Sequence, residues 1–112
     1  MTLEVKKIKV VVMVPAENLD AVRNAVCQAG AGLIGDYSFC TVATECISTF
    51  MGNKNASPSA GHKLQLETVN EIKLEAICTP ENVKAVLRAI RDVHPYEEPG
   101  IDLYPMLDEE SL

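Results

Sequence analysis

The sequence predicts an α+β sandwich, two helices covering one face of a four-stranded antiparallel sheet, on three observations. Residues 67–78 alternate apolar and charged side chains, two apolar stripes with helical spacing begin at Leu19 and Val83, and β-branched runs fill the segments between. Alternation of period two marks a strand with one covered face, while spacing near 3.6 marks a helix with one buried stripe.

In chain order, KIKVVVMVP (7–15) reads as a buried strand closed by proline. Leu19, Val22, Val26 and Ala29 then form one helical stripe, with Glu17 and Asp20 near its start, where negative charge suits the helix dipole. That helix should stop at AGAG (29–32), because Gly30 and Gly32 accept the left-handed backbone of a helix end. Residues 33–50 are β-branched and aromatic, which predicts one long strand or two around a bend, and 51–63 read as a polar loop. In ETVNEIKLEAIC (67–78), Ile72, Leu74, Ala76 and Cys78 face one way and Glu71, Lys73 and Glu75 the other.

Thr79-Pro80-Glu81 is a helix start with Thr79 as N-cap, and Val83, Val86, Leu87, Ile90 and Val93 continue the stripe. HPYEEP (94–99) ends this helix and IDLYP (101–105) makes a last strand. The order β-α-β-β-α-β is the ferredoxin-like arrangement. Residues 1–106 form its single domain, and 107–112 an acidic, frayed tail.

Composition excludes several classes of function. A net charge of −6, with ten scattered basic residues, argues against nucleic acid as a partner. No run approaches the roughly 18 apolar residues of a membrane span. The apolar start lacks a small-residue cleavage site, so a cytoplasmic protein is expected, with no membrane partner. Cys27, Cys40, Cys46 and Cys78 show no CxxC pair and are expected to be free thiols.

Two stretches, GAGLIGDYSFC (30–40) and HPYEEPGIDLYP (94–105), also resemble a family. They are similar to the inserted domain of the NIF-three-like proteins (the YqfO type, often labelled type-2 GTP cyclohydrolase I homologues), and the likeness spans nearly the whole chain. Their motif residues here are Gly30, Gly32, Gly35, Tyr37, Cys40, Pro95, Tyr96 and Pro99. The HPYE-x-P part further resembles CutA, the divalent-cation-tolerance protein, and both resemble the PII signalling proteins. The resemblance implies a free-standing version of that domain, assembled as a homotrimer around a three-fold axis. It does not carry over metal-hydrolase activity, since the paired-metal ligands of full-length members lie in flanking domains. One departure is local: the family usually shows Gly-x-Gly ahead of Thr49-Phe50, where this chain reads TVATECIS.

HPYEEP admits three readings: a rigid turn, a metal or small-ligand site, or a carboxylate pair for acid–base work. His94 before Pro95 stops a helix, and Pro99 fixes the approach to the last strand. His94, Glu97 and Glu98 also offer one nitrogen and two carboxylates to a divalent ion, with His62, Glu67, Glu71 or Cys40 as further donors. Glu67, Glu71 and Glu75 share one strand face, whose usual state is solvated; in a trimer the same row could instead meet Lys73 and arginines of a neighbour or line a cleft between subunits. GAGLIG (30–35) formally matches GxGxxG, but it follows a helix and precedes a strand, the reverse of the dinucleotide context. No catalytic residues or nucleophile motif are recognised. The expected function is a non-enzymatic trimeric module binding a small ligand or a divalent metal ion. The alternatives are a ligand-free oligomerisation domain and, behind both, a small metal-dependent hydrolase.

Overall fold

The computed structural model describes residues 4–56 and 62–112. Its elements are β1 (Lys7–Val14), α1 (Leu19–Gln28), β2 (Thr41–Phe50), β3 (Glu67–Cys78), α2 (Val83–Val93) and β4 (Ile101–Met106). All strand pairs are antiparallel, in the sheet order β2-β3-β1-β4. This is the predicted ferredoxin-like sandwich.

Valine-rich β1 lies at the sheet centre, bonded to β3 on one side and β4 on the other. The registers sort every strand residue onto one of two faces. On the inner face Val10, Val12, Val14, Leu74, Ala76 and Cys78 pack against Val22 and Val26 of α1 and Val86 and Ile90 of α2. Each of these side chains is almost wholly removed from water, the dominant favourable term in folding. The outer face carries Lys9, Val11 and Met13 of β1, the odd-numbered residues of β3, and Val42, Cys46, Ser48 and Phe50 of β2.

Helix α1 ends as expected on Gly30 (φ +113°) and Gly32 (φ +77°). At Gly30 a Cβ would also meet the Asn82 side chain at 2.7 Å, so the end of α1 rests directly on the turn that opens α2. The Cys40 N–H donates to the Gly32 carbonyl at 2.9 Å, joining the two ends of the following loop.

Three expectations are corrected. The strand predicted over 33–50 begins only at Thr41, because Ile34 and Tyr37 exchange backbone hydrogen bonds around Gly35 (φ +56°), and Phe39 also has a left-handed backbone. Thr79 makes no side-chain cap. Instead, Pro80–Asn82 form a 3-10 turn in which the Asn82 N–H donates to the Thr79 carbonyl at 3.0 Å, so the backbone does what the hydroxyl was expected to do. Val93 is 40% exposed, since ten positions beyond Val83 is roughly 80° off the stripe at about 100° per residue.

In the tail, Asp108 pairs with Lys6 at 3.5 Å and accepts from the Glu110 N–H, opening a 3-10 turn over Glu109–Ser111. Cys78 is buried and Cys27, Cys40 and Cys46 are half-buried, all as free thiols. Among the described residues no helix is long and apolar enough to cross a membrane.

Candidate functional site

Where α2 ends, the chain turns under the control of His94. The residue takes an extended backbone (ψ 134°) ahead of Pro95, as the restriction on residues preceding proline requires. Its ring is buried, with both nitrogens engaged: Nδ1 accepts the Tyr96 N–H at 3.1 Å and Nε2 lies 2.7 Å from the Met13 carbonyl. Those partners assign the ring proton to Nε2. His94 is therefore a strut between the corner and β1. Next along, the Met13 N–H donates to the Gly100 carbonyl at 3.0 Å and carries the β1–β4 pairing into the corner.

This strut brings residues 96–100 round to the outer face of the sheet. They form one wall of a cleft of roughly 590 Å³, whose floor is Met13, Val69, Glu71, Ser48 and Phe50. The opposite wall is the start of the loop after β2, Met51–Asn53 with Ala56. Tyr96 and Glu71 meet within it. The Glu71 side chain is 5% exposed, and the Tyr96 hydroxyl donates a hydrogen bond to its carboxylate. Burial first, then that hydrogen bond and the Glu71 charge, with a smaller contribution from Glu17, push the tyrosine up to about 12. The tyrosine thus stays a neutral donor across ordinary pH.

Burial of Glu71 corrects the expectation of a solvated row. Of Glu67, Glu71 and Glu75 only Glu71 is closed off, because the 96–100 corner covers the face at that one level. Beside it, the Cys46 thiol donates to the Glu71 carbonyl at 3.4 Å. Glu67 accepts the His62 backbone N–H at 3.0 Å and Glu75 pairs with Lys9 at 3.8 Å, so each of these carboxylates has its own local partner.

The other candidate residues are distributed as follows. Glu97 and Glu98 line the cleft and are exposed, Pro95 is exposed, Pro99 is half-buried, and the His62 side chain stands in the exposed loop. Among the described residues, no three His, Cys, Asp or Glu side chains converge to hold a metal ion. With both His94 nitrogens committed to backbone groups, one chain's donors do not fit a divalent ion at this corner. Gly30, Gly32, Gly35, Tyr37 and Cys40 belong to the far end of the sheet, where the Gly32 N–H donates to the Ile77 carbonyl. Ile77 is six strand residues from Glu71, roughly 20 Å at about 3.3 Å per residue. The two motifs do not share a site. Sequence reasoning missed Met13, Phe50 and Val69; their signal was apolar side chains on a face that alternation assigned to water.

No protein-family model matches the chain. Among curated relatives, a Halalkalibacterium halodurans protein named "GTP cyclohydrolase 1 type 2 homolog" is 44% identical over 101 residues, 90% of this chain and 27% of the relative. A Mycobacterium tuberculosis protein of the same name is 41% identical over 99 residues, 88% of this chain and 26% of the relative. The crystal structure of a Bacillus cereus protein related to NIF3 superposes with a TM-score of 0.81 at 38% identity, covering 94% of this chain and 27% of that one. The chain is a relative of the CutA-like part of the NIF3-type proteins. CutA1 from a Shewanella species matches at a TM-score of 0.69 and 15% identity, covering 92% of this chain and 83% of that chain. The PII-like protein CutA from a Nostoc species matches at 0.66 and 17%, covering 95% and 85%. At that identity the CutA likeness is one of fold. The chain spans about a quarter of the length of the curated relatives it matches.

Proposed function

We propose that this chain is a non-enzymatic module of the PII/CutA type that binds a small ligand or divalent ion and works as a homotrimer. The observation that carries the reading is the outer-face cleft, of roughly 590 Å³, with Glu71 buried in its floor against Tyr96. Its volume falls within the ~300–1,000 Å³ of small-molecule sites, and it combines apolar walls with a few polar groups. The solved structure from Thermus thermophilus is named a divalent cation tolerance protein. For this chain an ion would need donors from a neighbouring copy, since one copy supplies no three-donor cluster among its described residues. An organic ligand is the better-supported occupant.

Trimer formation is supported by β2, which is an edge strand among the described residues and exposes Val42 and Ile47. Unpaired edges with apolar side chains invite pairing with another chain. The same edge favours the second reading, a pure oligomerisation domain. GTP cyclohydrolase in the relatives' name concerns proteins of which this chain matches about a quarter.

Thermal unfolding against a panel of metabolites and divalent salts separates the two readings. A ligand at one hundred times its Kd should add about 2.7 kcal/mol, on the order of 10 °C in Tm for a domain this size. A panel that shifts nothing, with the trimer intact, would leave the oligomerisation reading standing and remove the ligand module.

A further inference from the structure

The chemistry of the cleft narrows what can enter it. Among the described residues its lining holds three carboxylates, Glu71, Glu97 and Glu98, and no lysine, arginine or histidine. Nucleotides, phosphates and carboxylic acids would therefore meet repulsion and no ionic partner.

Glu71 is the more specific clue. Its partner in the cleft is a neutral hydroxyl, and no described Lys or Arg makes an ion pair with it. A carboxylate has about four lone-pair sites, so one hydroxyl leaves acceptor capacity over. Burial of a carboxylate is costly unless a cation and further donors face it. Met13, Val69 and Phe50 line the same cleft, a floor that suits an apolar body. A bare divalent ion prefers six or more oxygens, and this floor is largely carbon and sulfur.

We propose that the cleft binds an organic ammonium, a small molecule carrying a protonated amine on an apolar body, with the amine on Glu71 and the body over Met13 and Phe50. This deepens the ligand-module reading and rests on it. Tyr96 is then a positioning residue: its hydroxyl holds the Glu71 carboxylate toward the cleft and leaves the remaining lone pairs for the amine.

The test is methyl NMR on the full chain with labelled methionine. Met13 and Met51 line the cleft, whereas Met106 lies outside it and serves as reference. Three probes share a phenyl body and differ in head group: phenethylammonium, 2-phenylethanol and 3-phenylpropanoate. The ammonium should shift Met13 and Met51 saturably, spare Met106, and bind about tenfold or more tighter than the other two, the scale of one charge-assisted hydrogen bond. Glu71→Gln should remove that advantage and Tyr96→Phe should keep most of it. Should Glu71→Gln fail to fold, the head-group series on the unaltered protein still decides.

Equal binding of the alcohol, or tighter binding of the propanoate, would overturn the ammonium proposal while leaving the cleft a ligand site. Silence of Met13 and Met51 toward all three would overturn it too, and the thermal panel would then decide the broader reading. If Glu71→Gln dissociated the oligomer without affecting any probe, the cation facing Glu71 would belong to a neighbouring copy, and the proposal would again fall.

Discussion

The helix-covered face of the sheet buries Val10, Val12 and Leu74 to 2% exposure or less, and all three belong to the apolar core. The outer face, built by the same alternation on the same strands, buries Glu71 against Tyr96 in a cleft that Met13 and Phe50 also line. One face is closed by two helices over its whole central length. The other buries Val11 at the sheet centre and is closed over Glu71 by a seven-residue corner from His94 to Gly100. Burial on the first face serves folding, whereas on the second it also produces a cleft with a carboxylate held in place.

Leu74→Ala and Val69→Ala probe that contrast most strongly. Leu74 sits at 1% exposure in the core, and its loss should cost about 3–5 kcal/mol in urea unfolding. Half-buried Val69 on the cleft floor should cost about 1 kcal/mol or less. Equal costs would break the comparison, making the outer face a second core.

His94→Ala comes next. It strips the Met13 carbonyl and the Tyr96 N–H of their partners in a buried place, which should cost about 2–4 kcal/mol by the same unfolding measurement. A loss under about 0.5 kcal/mol would mean that the ring is no strut, and would reopen His94 as a free donor.

The smallest effect concerns pH. Tyr96 is raised to about 12 in the fold, by burial first and then by Glu71, against about 10 in an unfolded chain. Between those values the native state binds more protons than the unfolded one, so this contribution to stability is complete below about pH 10 and is lost as pH rises toward 12. A tyrosinate absorbance titration should show a step near about 12 that moves down in Glu71→Gln. An unmoved step would mean that the two groups are not in contact.

The fold was largely legible in the sequence because its signals are local. Residues 71–76 alternate charged and apolar side chains and lie within β3, Glu67–Cys78. Valines mark β1, and Gly30 and Gly32 stop α1 where the backbone turns left-handed. What misled was also local: aromatic and β-branched residues at 33–40 look like strand, yet left-handed backbone at Gly35 and Phe39 makes them a turn.

The cleft was legible only in part. His94, Tyr96, Glu97 and Glu98 stood out as a motif, and the structure divides them between a strut and a wall. Glu71 stood out only as a further donor candidate, on a strand face whose usual state is solvated. Its burial depends on Tyr96, 25 residues further along the chain, arriving over the outer face. Alternation reports which side of a strand a residue takes, and says nothing about what later covers that side.

The most direct test of the trimeric ligand module is a native mass spectrum of the protein purified without chelators, recorded beside Glu71→Gln. The account predicts a trimer carrying a small organic adduct that survives EDTA and is absent from the variant. A monomer or a bare trimer would contradict it, and an adduct that EDTA strips from both proteins would replace the organic ligand by a divalent ion.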